Sequence, residues 1–62
     1  MKRFFVIYRM ADGEEQRRYF KLQWQARAEA VTWSAETGND ADVCKSADVL
    51  EEYRAGKALV NA

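Results

Sequence analysis

Asp12-Gly13 stands between two apolar runs, Phe4-Phe5-Val6-Ile7-Tyr8 and Tyr19-Phe20-Lys21-Leu22. An Asp-Gly pair so placed is a strong hairpin signal, because a type I′ turn needs positive φ at both central positions and these residues tolerate it. Taken as a two-residue loop, it pairs Ala11 with Glu14, Ile7 with Arg18, Phe5 with Phe20 and Arg3 with Leu22. One sheet face then carries Phe5, Ile7, Phe20 and Leu22, and the other carries Phe4, Val6, Tyr8, Met10 and Tyr19 with Arg17 and Lys21. The expected strands span 2–10 and 16–24. The first is apolar on both faces, which fits a central strand.

Periodicity in the next segment allows two helices. A start at Gln23 aligns Trp24, Ala28, Val31 and Ala35; a start near Ala26, preferred here, aligns Ala26, Ala30, Trp33 and Thr37, with Val31 and Ser34 beside them. The second choice makes Trp33 a core residue, and the first exposes it as an interaction hot spot. Gly38 supplies the left-handed residue that ends a helix. Residues 42–46 read as a third strand, which a right-handed crossover sets beside the first and antiparallel to it. Asp48 with Glu51 fits a capping box, so a short helix is expected over 49–55, with Val49, Leu50 and Tyr53 turned inward and Gly56 as its stop. Residues 57–62 form a tail that frays or adds an edge strand. The expected whole is a single α+β domain over 1–62: a ββαβ unit with a three-stranded antiparallel sheet, order 2-1-3, a main helix on one face and a short C-terminal helix.

A chain of 62 residues is marginal on its own. It has one cysteine, Cys44, so no disulfide forms within one chain, and it has no histidine. No catalytic, cofactor-binding or metal-binding set is expected, because Ser-His and Cys-His arrangements and the usual zinc spacings are impossible. Cys44 reads as a half-buried strand residue. Glu14-Glu15, Asp40/Asp42 and Glu51-Glu52 read as solvated charge, and the three glycines occur singly, so no phosphate-cradling loop exists. The apolar run after Lys2-Arg3 is too short for a secretory signal, and nothing approaches a membrane span; the cytoplasm is the expected compartment.

The balanced charge is divided along the chain. Residues 1–27 hold seven bases and three acids, net +4, and residues 28–62 hold three bases and seven acids, net −4. Either the halves neutralise each other across the fold or each offers a patch to a partner. The expected contacts are Phe4, Tyr8, Tyr19, Arg17 and Lys21 on the sheet, with the acidic Asp48, Glu51 and Glu52 as second choice. Three kinds of occupant fit an aromatic sheet face left uncovered by the helix. They are a protein partner, a second copy of the chain, and single-stranded nucleic acid stacked on Phe4, Tyr8 and Tyr19 with Arg17 and Lys21 on phosphates.

The layout, with Tyr8-Arg9-Met10-Ala11-Asp12-Gly13 in the hairpin and Ala28-Glu29-Ala30-Val31 leading to Gly38, resembles the small ββαβ proteins of bacteriophages and mobile elements, the anti-CRISPR kind among them. That resemblance implies a compact non-enzymatic inhibitor or adaptor that occupies a partner surface, with a nucleic-acid-binding complex as one such partner. Asp40, Asp42, Asp48, Glu51 and Glu52 are the acidic face it would present to a basic groove.

Overall fold

The computed structural model describes residues 2–59. It has one helix and a five-stranded antiparallel sheet: β1 (Phe4–Arg9), β2 (Glu15–Phe20), α1 (Gln23–Thr37), β3 (Asp40–Lys45), β4 (Asp48–Arg54) and β5 (Lys57–Ala58), in the order β2-β1-β3-β4-β5. The α+β class and the place of β1 between β2 and β3, away from either edge, agree with the sequence reading. The three-stranded sheet with a C-terminal helix does not: residues 48–54 are a strand.

The reason lies in the turns. Lys45 pairs with Asp48 across a two-residue loop in which Ser46 has φ 54°, so the chain folds straight back along β3. Glu51 pairs with Val43 and Tyr53 with Ala41, and the backbone groups of β3 are satisfied by β4. Val49 and Leu50 are exposed, whereas Tyr53 is buried. The Asp48/Glu51 spacing that suggested a capping box is thus a strand pattern with a bulge near Leu50, where the register shifts between Val43 and Cys44. Gly56 stops no helix. With Ala55 (φ 53°) it makes the two-residue turn into β5, both residues in the left-handed region that a type I′ turn requires.

The first hairpin is displaced by one residue from the expected register. Phe4 pairs with Phe20, Phe5 with Tyr19, Ile7 with Arg17 and Arg9 with Glu15. The loop holds three residues, closed by the Met10 N–H donating to the Glu14 carbonyl (2.7 Å) and the Gly13 N–H donating to the Met10 carbonyl (3.0 Å). Gly13 has φ 92°, and the Asp12 carboxylate accepts from the Glu14 N–H at 3.0 Å. Asp-Gly serves this turn, a type I bend followed by a left-handed residue, as well as the two-residue kind. One added residue moves every β2 side chain to the other face.

Consequently α1 covers the face of Phe4, Val6 and Tyr8, and Phe20 joins them. The core beneath the helix is Val6, Tyr8, Ala41, Val43 and Tyr53 with Ala26 and Ala30. The buried helix residues Ala26, Ala30 and Ser34 lie four apart, and their small side chains let the helix sit close on the sheet. Trp33 is half-buried, its ring stacked on Tyr8 with centroids 5.0 Å apart. The helix therefore has the inner face of the reading preferred above and the Gln23 start of its rival. β2 stops at Phe20 rather than at Trp24, and the Leu22 carbonyl accepts from Gln25 and Ala26 to open α1. Gly38, φ 75°, closes it by donating its N–H to the Ser34 carbonyl at 2.8 Å.

Candidate functional site

The opposite sheet face has no helix, yet Phe5, Ile7 and Cys44 on it are buried. Long side chains from β2 supply the cover: Tyr19 packs against Phe5 with centroids 5.3 Å apart, and the Arg17 guanidinium lies 5.2 Å from the centre of the Phe5 ring. Arginine does this by laying its stem on apolar surface while its head stays in water. Burial pushes the Cys44 thiol pKa up, which disfavours the reactive thiolate.

Charges are handled differently at the two ends of the sheet. Toward the first turn and β4, arginines meet carboxylates. Arg9 bonds Asp42 (2.7 Å) and Glu15 (2.6 Å), and Arg54 grips Asp40 with two bonds of 2.7 and 3.1 Å. Glu51 is a hub on the helix side: Arg27 donates two bonds to it (2.9 and 2.8 Å), Gln23 one at 2.6 Å, and the Tyr53 hydroxyl another. The Arg27 guanidinium above all lowers the Glu51 carboxyl to about 2. Three of the five ion pairs among the described residues, Arg9–Asp42, Arg18–Glu29 and Arg27–Glu51, join the basic half of the chain to the acidic half.

At the other end, where β1 starts and β2 and β3 finish, Phe4 lies between Phe20 and Lys45 in the pairing register. Lys2, Arg3, Lys21 and Lys45 gather around this end, and Arg17, opposite Ile7 in mid-strand, reaches toward it with its guanidinium over Phe5; none of the five takes part in an ion pair among the described residues. Two of them stand instead over rings, Lys45 Nζ 5.7 Å from the Phe4 centroid and Arg17 over Phe5, and the ion-paired Arg18 also lies 5.6 Å from the centroid of Phe20. Two open hollows flank the end. A groove of about 630 Å³ runs between β2 and α1, lined by Lys2, Arg18, Tyr19, Lys21, Trp24 and Glu29 among others. A second, of about 460 Å³, is lined by Lys2, Arg3, Phe5, Tyr19, Lys45 and Ser46. Lys2 and Tyr19 belong to both. Trp24 is 62% exposed and Tyr19 48%.

The residues singled out from the sequence are thus separated. Arg17, Tyr19 and Lys21 lie at this basic end. Phe4 is half-buried on the helix side. Tyr8 is buried, with its hydroxyl donating to Glu29 at 2.8 Å and its pKa raised by burial and by that carboxylate. Glu51 is enclosed by its own partners, while Asp48 and Glu52 are exposed on β4, so the three form no common acidic surface with free carboxylates. Sequence reasoning missed Trp24. Its place two residues after Leu22 and four before Ala28 fits a buried alternation and a buried stripe equally well, and the polar neighbours Gln23 and Gln25 were the available sign of exposure.

Among the described residues no group of histidine, cysteine, aspartate and glutamate has the arrangement of a metal site, and no helix is long and apolar enough to cross a membrane. Comparison with family models, curated proteins and solved structures finds no match to this chain.

Proposed function

We propose that this protein is a non-enzymatic binding module that engages an anionic macromolecule through the basic, aromatic end of its sheet. The observation that carries the reading is the meeting there of two exposed rings, Trp24 and Tyr19, with five cations outside every ion pair of the described residues. Cations of one sign at one end steer an oppositely charged partner, and exposed aromatic rings give it apolar area to cover. The chemistry of the rest of the chain agrees with binding rather than turnover. Cys44 is buried with a raised pKa, and the Glu51 carboxylate is consumed by Arg27, Gln23 and Tyr53. The inhibitor or adaptor role implied by the phage-protein layout acts through the same logic, by occupying a partner surface. A homodimer through the open sheet face has less in its favour, since Tyr19 and Arg17 already close over Phe5.

The test is capture of bound material by tagged protein at low salt, with Arg17→Glu/Lys21→Glu as the control. The wild type retains a polyanion or an acidic protein that elutes as salt rises, and the doubly reversed variant, folded by circular dichroism, retains none. Capture that is indifferent to both salt and charge reversal overturns the proposal.

A further inference from the structure

Resting on that reading, we infer that the groove between β2 and α1 takes single-stranded nucleic acid, with Trp24 and Tyr19 stacking on bases and Lys2 and Lys21 meeting the phosphates. The groove is an open hollow of about 630 Å³, which leaves room for a nucleotide-sized group to lie along it. Trp24, 62% exposed, lines it, and Tyr19, whose ring leans on Phe5 on the far sheet face, stands at its rim; a ring face between cations is the arrangement that binds unpaired bases, since the ring stacks on any base while the cations follow the backbone. The carboxylate lining the groove, Glu29, is already held by the Tyr8 hydroxyl at 2.8 Å and by Arg18 at 3.8 Å. Its charge therefore opposes a phosphate less than a free carboxylate would. Lys2 and Tyr19 also line the neighbouring hollow, where Arg3 and Lys45 continue the positive track beyond the groove.

A duplex fits this surface poorly. Its bases are stacked on one another and offer no face to Trp24. The helix α1 is also ill-suited to a major groove, since its single cation, Arg27, is bound to Glu51 and it carries Glu29 and Glu36 besides. An acidic polypeptide would satisfy the lysines but leave the two ring faces without a matched partner. With contacts to base faces and backbone only, binding tolerates sequence.

Fluorescence anisotropy of a labelled single-stranded oligonucleotide of about 12 nucleotides tests the inference. A duplex of the same sequence and poly-glutamate serve as the comparison ligands. The single strand binds the wild-type protein most tightly, and its affinity falls steadily as salt rises from about 50 to about 200 mM. Trp24→Ala weakens it roughly 5- to 150-fold, while Trp24→Phe, which keeps a ring, retains most of the affinity. Lys21→Ala lowers the slope of affinity against salt by about one. Equal binding of duplex and single strand, or an unchanged affinity in folded Trp24→Ala, overturns the inference. If the single strand fails to bind while poly-glutamate binds and is released by Lys21→Glu, the nucleic-acid inference falls and the binding-module reading stands. If neither ligand binds at low salt, both fall.

Discussion

The Glu51 hub and the Lys2/Lys21 end lie on one small sheet and treat the same kind of charge in opposite ways. At the hub, one arginine, one glutamine and one tyrosine converge on a carboxylate and fix the first two turns of α1 to β4. At the basic end, five cations find rings and solvent but no carboxylate among the described residues. The first arrangement stabilises the fold. The second leaves like charges together that no ion pair among the described residues offsets, which is the mark of a surface shaped for something outside it. In a domain with only about 3–9 kcal/mol of total stability, the two regions should respond very differently to substitution.

The sharpest break is expected in the core that both regions share. Ala30 has no exposed surface, and Ala30→Leu forces the helix off Val6 and Val43, at a cost of about 3 kcal/mol that urea unfolding measures. At the hub, Glu51→Gln removes the charge that Arg27, Gln23 and Tyr53 share, and a loss of about 2 kcal/mol is expected by the same measurement.

The hub also predicts a pH dependence. The Glu51 carboxyl is held near 2 in the folded state against an ordinary 4.5, so its contribution is complete above about pH 4.5 and is lost as pH falls toward 2. Half-exposed Arg27 rehydrates readily, which reduces the effect to about 1–2 kcal/mol. Thermal unfolding followed across that window shows it, and Glu51→Gln flattens it. A smaller share in the same direction comes from Asp40, whose pKa Arg54 lowers. Last come Lys21→Ala and Trp24→Ala at the basic end, which should change stability by no more than about 0.5 kcal/mol. If either one destabilises the protein as much as Glu51→Gln does, the contrast between a structural and a free region is wrong.

Much of the fold is legible where one signal has one meaning. Phe4 to Tyr8 is apolar at every position and becomes an interior strand; Ala26 and Ala30 at helical spacing face inward; Gly38 ends the helix. Reading fails where one signal serves two structures. Asp12-Gly13 marks the hairpin but is compatible with loops of two or three residues, and the difference of one residue exchanges the faces of Arg17, Tyr19 and Phe20. Asp48 and Glu51 have the spacing of a helix cap, yet the turn before them is made by Ser46-Ala47, which lacks the glycine or asparagine that announces a hairpin. The candidate site was half visible: Arg17, Tyr19 and Lys21 stood out by type, while Trp24, Lys2 and Lys45 reach the same place only through the register and the turn into α1.

Ser34 has a consequence for how the last hairpin is held. Its hydroxyl, fully buried, donates to the Val31 carbonyl at 3.1 Å and accepts the Gly56 N–H at 2.9 Å, and a methyl on Gly56 would meet the Ala35 Cβ at 3.0 Å. A turn amide ordinarily trades its proton with water within moments. This one is shielded by the helix itself, so its rate of deuterium uptake is a direct gauge of how often the final ribbon lifts from α1.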